Sequence, residues 1–283
     1  MNATKFNPIS TYRIQFHKDF NFKQFEKIIP YLHKLGIKTI YASPIYEASP
    51  GSIHGYNGVN PNNINPEIGT LEELIHISKQ LKEKGIAWIQ DIVPNHMSFD
   101  EHNPWIMDVL EKGQSSAYAD FFDIDWNHPK YKGKLMVPFP GSELEKQLKK
   151  ESPKADHYVI CDWQETDKHI NYRRFFIVNS LICINIQNKD VFDKYHVLTK
   201  YLIGNNVFSG LRIDHIDGLA DPKKYLEDLR ALSGNETYIV VEKILEPGEN
   251  IPNNWPIEGN SGYDFLGMVN NLLINKSSVH ALT

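Results

Sequence analysis

An α/β fold of the (β/α)8 TIM-barrel type, incomplete and carrying about its first five β/α units, is predicted by three features of the 283-residue chain. Short apolar strand patterns alternate with amphipathic helical ones, the rhythm of a parallel sheet covered by helices. Two of those strands, Gly210–Ile213 and Tyr238–Val241, lead directly into the carboxylates Asp214 and Glu242, 28 residues apart with one helical pattern between them. That spacing is one βα repeat. It makes the strands parallel neighbours with both acids at their C-terminal ends, the face on which barrel active sites are built. Finally, the rhythm stops at five strands where a closed barrel needs eight.

The elements follow in order. Thr11–Phe16 reads as the first strand. Phe22, Phe25, Ile28, Ile29, Leu32 and Leu35 recur at helical spacing, with Gly36 as the residue just past the helix end and Pro30 as a predicted kink. Lys38–Ser43 is the second strand. Thr70 and Glu73 have the spacing of a capping box for a helix carrying Leu71, Leu74, Ile75 and Leu81, closed by Gly85. Ala87–Val93 is the third strand.

From Pro94 to about Lys189 no clean repeat survives, and a structureless loop of that length is implausible inside a domain. The stretch is expected to be an inserted subdomain on the C-terminal face. Periodicity resumes at Val191, Phe192, Tyr195, Leu198 and Leu202. Asp221 and Pro222 then start the helix between the two acidic strands, and a last helical stretch spans about 263–275. The expected organisation is 1–94 as the first part of a catalytic barrel, 95–189 as the insertion and 190–283 as the continued barrel. Five parallel strands leave two open edges, so the chain is expected to be the N-terminal portion of a longer protein.

A net charge of −5 gives no electrostatic reason to expect nucleic acid or an anionic membrane as partner. No apolar run reaches transmembrane length and no signal-peptide pattern opens the chain. Cys161 and Cys183 make neither a disulfide framework nor a metal set. Asp120, Asp123 and Asp125 lack the Gly and terminal Glu of a calcium loop. No metal and no cofactor is expected, and a reduced, cytoplasmic protein is the default.

Asp214 is the candidate nucleophile. Adjacent strands lie roughly 4.8 Å apart, and carboxyl groups about 5–5.5 Å apart are what glycosidic cleavage with retention needs. One carboxylate traps the oxocarbenium-like carbon as a glycosyl ester while the other protonates the leaving oxygen. Arg212 points to the same side of its strand as Asp214 and can keep it ionised; a buried structural ion pair is the open alternative. Glu242 is the candidate general acid, because its apolar approach predicts desolvation and a raised pKa. A strand-end salt bridge with Lys243 is the plainer reading of Glu242 alone.

Tyr56, in a Gly-flanked loop after the second strand, can stack on a sugar ring or simply pack its loop. His96, just after the third strand, can bond a sugar hydroxyl or tie down the insertion. His215 should face away from Asp214 unless the strand has already ended. Arg173 and Arg174, set among aromatics, can bind hydroxyls or carboxylates, or be an exposed basic pair. Trp105, Trp126 and Trp163 can line sugar subsites or fill a small core.

Asp91–His96, Gly210–Leu219 and Val240–Gly248 resemble the ordered sequence blocks of the α-amylase superfamily of glycoside hydrolases. Ala119–Trp126, Asn171–Phe176, Trp255–Pro256 and Gly262–Leu266 resemble more narrowly its maltooligosyltrehalose synthase family. The resemblance runs along nearly the whole chain. It implies an isomerase, an intramolecular transglucosylation that moves the reducing-end glucose of a maltooligosaccharide from an α-1,4 to an α,α-1,1 linkage. It also implies Asp214 as nucleophile, Glu242 as acid/base, and Arg212, His96 and Tyr56 beside them.

The departures matter. Asn57 and Asn60 stand where the family carries acids, and Ile177–Cys183 lacks an expected acidic residue. The family's third active-site Asp, preceded by His, has no counterpart, since His280 is followed by Ala281. The chain as given is therefore expected to have little or no activity. The alternatives are a related α-1,4-glucanotransferase or glucan hydrolase, and a non-catalytic glycan-binding remnant.

Overall fold

Phe22, Phe25, Ile29 and Leu32 are wholly buried along one face of the first helix, as their spacing requires. The computed structural model, which describes residues 6–278, sets that helix against a parallel sheet. β1 (Thr11–Ile14), α1 (Phe22–Lys34) and β2 (Thr39–Ala42) form the first unit. Asn21 caps α1 with a reciprocal bond from Gln24, and Gly36 follows at φ +85°. The helix runs unbroken through Pro30.

A hairpin of β3 (Tyr46–Ala48) and β4 (Gly58–Ile64) rises from the end of β2, and its loop carries Tyr56. α2 (Leu71–Glu83) begins on the predicted capping box: Glu73 N donates to Thr70 Oγ1 at 3.2 Å and Thr70 N to Glu73 Oε2 at 2.9 Å. β5 (Ala87–Ile92) follows.

The stretch that broke the sequence rhythm is folded. It contains β6 (His96–Ser98), α3 (Pro104–Lys112), β7 (Leu135–Val137), α4 (Glu143–Glu151), β8 (Tyr158–Ile160), α5 (Thr166–His169), β9 (Arg174–Phe175) and β10 (Val178–Cys183). β6, β10 and β9 make an antiparallel sheet, while β7 and β8 pair in parallel. These strands are only two to six residues long and are separated by irregular segments, which is why no repeat is legible.

The periodic stretch after Lys189 is two helices, α6 (Lys189–Tyr195) and α7 (Val197–Gly204), meeting at His196. β11 (Gly210–Ile213), α8 (Pro222–Ser233) and β12 (Tyr238–Val241) form the acidic repeat. β11 and β12 are parallel neighbours in direct register, Arg212 against Val240. A sixth strand, β13 (Gly259–Asn260), then pairs in parallel with β12 and corrects the count of five. It has two polar residues and no apolar pattern to announce it. α9 (Tyr263–Leu272) is the last α-helix among the described residues.

The main sheet runs β1-β2-β5-β11-β12-β13, all parallel, as a half-barrel. Its outward residues, among them Ile40, Trp88, Leu211 and Ile239, are buried beneath the helices, with Trp88 packed against Phe16, Phe25 and Phe208. The inward residues, from Arg13 and Tyr41 to Arg212 and Val240, line a cavity of about 930 Å³. Among the described residues no helix is long and apolar enough to cross a membrane. His280 and Ala281, on which the missing third acid was read, lie outside the described residues.

Candidate active site

Strand alternation sends Arg212 and Asp214 to the inner face of β11, while β5 presents Asp91 in register with Arg212. Asp91 is fully buried and collects four hydrogen bonds. Tyr41 and Tyr56 each donate their hydroxyl to Oδ2 at 2.6 Å, and Arg212 Nη1 donates to both oxygens at 2.9 and 3.1 Å. The guanidinium also lies 5.9 Å from the centre of the Tyr41 ring. In the sequence Asp91 lies in a strand and opens a family block, but no role is assigned to it. Its signal was the inward parity it shares with Ile89, which needs the β5–β11 pairing to become meaningful.

Arg212 serves two more carboxylates. Nη1 also bonds Asp214 Oδ1, and Nη2 lies 3.0 Å from Glu242 Oε1. Asp214 and Glu242 leave their strands while the ladder still holds them: Asp214 N donates to Ile92 O at 2.8 Å and Glu242 N to Ile213 O at 2.7 Å. Glu242 is fixed further by the His215 amide on Oε2 at 2.9 Å and the Tyr263 hydroxyl on Oε1 at 3.0 Å.

β11 has ended before His215, which adopts φ +48°. That left-handed turn aims its amide at Glu242 and its ring at Phe175 and Phe176, 4.7 and 5.0 Å between centroids. His96 lies in the cavity wall with Tyr56. Its Nε2 is 3.2 Å from Tyr56 O, its Nδ1 3.2 Å from Asn95 Oδ1, and its ring 4.6 Å from that of Phe175.

Arg173, Arg174 and His215 are not in the cavity lining. Arg173 pairs with Asp123 at 2.6 Å and donates to Gly218 O at 2.7 Å, joining the stretch before β9 to the loop after β11. Arg174 bonds Thr166 Oγ1 at 3.2 Å and Asn179 Oδ1. Asn57 accepts from Ser52 Oγ, and Asn60 accepts from Asn62 N at 3.0 Å in a local turn. Arg13, Tyr41, His54 and Tyr263 line the cavity although sequence reasoning did not select them.

A family model described as alpha amylase, catalytic domain, matches residues 25–249. The chain belongs to this family. A putative maltooligosyl trehalose synthase of Mycobacterium tuberculosis is 35% identical over 310 aligned residues, which cover 98% of this chain and 40% of that protein. The solved maltooligosyltrehalose synthase of Arthrobacter ramosus superposes with a TM-score of 0.88 at 35% identity, over 98% of this chain and 40% of its own. A hypothetical maltooligosyl trehalose synthase of Sulfolobus tokodaii gives 0.79 at 35% identity, over 92% of this chain and 39% of its own. The chain thus spans about 40% of the length of the relatives it matches.

In this α-amylase-family site three carboxyl groups crowd one guanidinium, and the charges distribute unevenly. Burial lifts Asp214 to about 8, with the Asp91 charge adding to it and Arg212 opposing. Burial also raises Glu242, but the Arg212 charge and the hydrogen bonds from His215, Asp214 and Tyr263 outweigh it and bring Glu242 below the ordinary carboxylate value.

This reverses the sequence-based expectation of an ionised Asp214 beside a protonated Glu242. Burial weighs more on Asp214, whose side chain is 10% exposed against 22% for Glu242, while Arg212 and the His215 amide hold Glu242 down. Burial raises Asp91 as well, against Arg212 and the two phenols. Burial brings His96 down to about 4, against the bond to Tyr56 O, so its imidazole is neutral at neutral pH.

Proposed function

We propose that this chain provides the nucleophile and the acid/base of an α-amylase-family isomerase. The reaction converts the reducing-end α-1,4 linkage of a maltooligosaccharide to α,α-1,1. The observation that carries the proposal is the pair of carboxylates on consecutive parallel strands, Asp214 and Glu242, both gripped by Arg212. The whole-chain identity to maltooligosyl trehalose synthases supports the isomerase outcome over hydrolysis.

In the ligand-free site the pair shares one proton, carried by Asp214. Because Arg212 holds both carboxyls side by side, substrate entry can pass it to Glu242 with no change in the pair's charge. Asp214 then attacks the anomeric carbon as Glu242 protonates the glycosidic oxygen. The C–O bond breaks, leaving a glycosyl ester on Asp214 and a free glucose.

The glucose turns within the cavity until its own anomeric hydroxyl faces the ester. Glu242 takes that proton, the oxygen attacks the glycosyl carbon, and Asp214 departs as a carboxylate. Tyr56 and His96, in the cavity wall, are placed to bind the reacting sugar. Arg173 and the His215 amide position the loop and Glu242 from behind. Isomerisation beats hydrolysis only if water is kept from the ester.

Product analysis with maltopentaose tests the reading. The proposed reaction lowers the number of reducing ends and yields a non-reducing product. A rise in reducing ends identifies a hydrolase instead, and saturable binding without turnover favours a glycan-binding role.

A further inference from the structure

Lys243 follows Glu242 in the chain, but successive side chains leave a strand end in opposite directions. Glu242 lines the cavity and Lys243 does not. Read from sequence, Lys243 is the plain salt-bridge partner of Glu242; in the structure its Nζ meets two other acids, Asp217 Oδ1 at 2.9 Å and Glu249 Oε1 at 2.7 Å. The lysine side chain is only 10% exposed, against 50% for Asp217 and 35% for Glu249. An ammonium withdrawn this far from water is costly unless it is paired.

Its two partners belong to different loops. Asp217 sits in the single turn Ile216–Gly218 that follows β11. Glu249 lies in the loop after β12, where its Oε2 accepts from Glu246 N at 3.0 Å. The first of these turns is entered through His215, whose amide donates to Glu242 at 2.9 Å. His215 holds φ +48°, a conformation that a residue with a Cβ keeps only where its surroundings enforce it. Asn95 and Arg173 hold the turn from one side, each donating to Gly218 O at 2.7 Å. Only glycine fits at 218, since a Cβ would fall 2.3 Å from the His215 ring. Lys243 draws the same turn the other way, toward the chain that carries Glu242.

We propose that Lys243 is a positioning residue: by tying Asp217 to Glu249 it holds the His215 turn against the end of β12, so that the amide stays on the Glu242 carboxylate. It touches no reacting atom. Its importance for turnover rests on the reading of Glu242 as acid/base, but its effect on Glu242 does not.

The test follows the Glu242 carboxyl through a pH titration of the 283-residue chain by carbon-detected NMR, with Glu242→Gln identifying its signal. Arg212 and Asp214 from β11, His215 from the turn and Tyr263 from α9 face that carboxyl, and every variant keeps them. In the parent the His215 amide resonance should move with the Glu242 titration. Lys243→Met should raise the Glu242 midpoint by about 0.5–1 pH unit, because a carboxylate that loses a donor is harder to ionise. The His215 amide should then stop following it.

Loss of a cation raises the midpoint by charge alone, so Asp217→Ala decides the cause. That variant removes a half-exposed carboxylate, which by charge alone lowers the midpoint, whereas loss of the tie raises it. It also decides the matter if Lys243→Met does not fold. A midpoint that falls or stays unchanged in Asp217→Ala, with the amide still following it, overturns the proposal. None of these readouts requires turnover, so the tie stands or falls apart from the glucan reading, which product analysis decides.

Discussion

Arg212 holds Asp214 with one nitrogen of its guanidinium and reaches Glu242 with the other, 3.0 Å away, while Asp91 accepts two bonds from behind. One planar fork thus fixes two carboxylates from adjacent strands relative to each other. A lysine, with a single point charge, cannot span the same geometry.

Removing that cation should leave three acids facing one another in a largely buried place. Arg212→Met is expected to destabilise the fold by about 3–5 kcal/mol at pH 7, the usual cost of orphaning buried charge. The loss should shrink at pH 4–5, where the acids take up protons. Urea unfolding at both pH values checks this; an equal loss at each would mean that packing, not charge, dominates.

The Asp214 pKa makes a separate prediction about stability. Its folded value, about 8, lies above the unfolded value of about 4. Between those values the native state binds more protons than the unfolded chain, so this group's contribution falls as pH rises and is flat above about 8. Asp214→Asn removes the penalty. It should be more stable than the parent at pH 8 by at least ~1 kcal/mol, with the difference closing toward pH 4. A gap that does not change with pH would show that the proton does not reside on Asp214.

How much of this was readable beforehand depends on which residues local pattern can reach. Asp214 and Glu242 were legible because each closes an apolar run and one helix separates them, which sets strand direction and spacing. Asp91 sat in plain view in its strand, but its partner Arg212 is 121 residues away across an insertion, and no periodicity in the chain encodes that pairing. β13 is held in the sheet by backbone bonds of the residues flanking it, Glu258 N to Ile239 O and Ser261 N to Val241 O, which any side chain permits. The proton's place was misread for a related reason. The apolar run before Glu242 speaks only of desolvation, whereas the groups that outweigh it come from β11, the turn after it and the start of α9.

Glu242 remains the residue on which the proposed chemistry is most exposed. In a form that turns over maltooligosaccharides, Glu242→Gln should lower the rate by at least ~10²-fold, the lower range for general-acid catalysis. Substrate affinity should change far less, because Gln keeps the side chain's shape and one acceptor for the His215 amide, while its NH2 can donate to the Tyr263 hydroxyl oxygen. A near-normal rate would remove Glu242 from the mechanism.

His196 offers a prediction independent of the site. It is wholly buried where α6 meets α7, with Nδ1 2.9 Å from Phe192 O and Nε2 3.1 Å from the Tyr225 hydroxyl. Nδ1 faces a carbonyl, which only accepts, and Nε2 faces a hydroxyl able to donate to it, an arrangement the neutral imidazole satisfies. Burial brings its pKa down to about 4, against the bond to Phe192 and the charge of Asp193, with Lys189 lowering it slightly further. The unfolded chain takes up this proton near pH 6.5, so between about 6.5 and 4 the unfolded state binds more protons and stability falls as the solution is acidified. His196→Gln cannot titrate. It should be less stable at pH 7, from lost packing, yet lose roughly 1–3 kcal/mol less than the parent between pH 7 and pH 4. Parallel stability curves for the two proteins would show that acid acts elsewhere, with the similarly buried His96 the next group to replace.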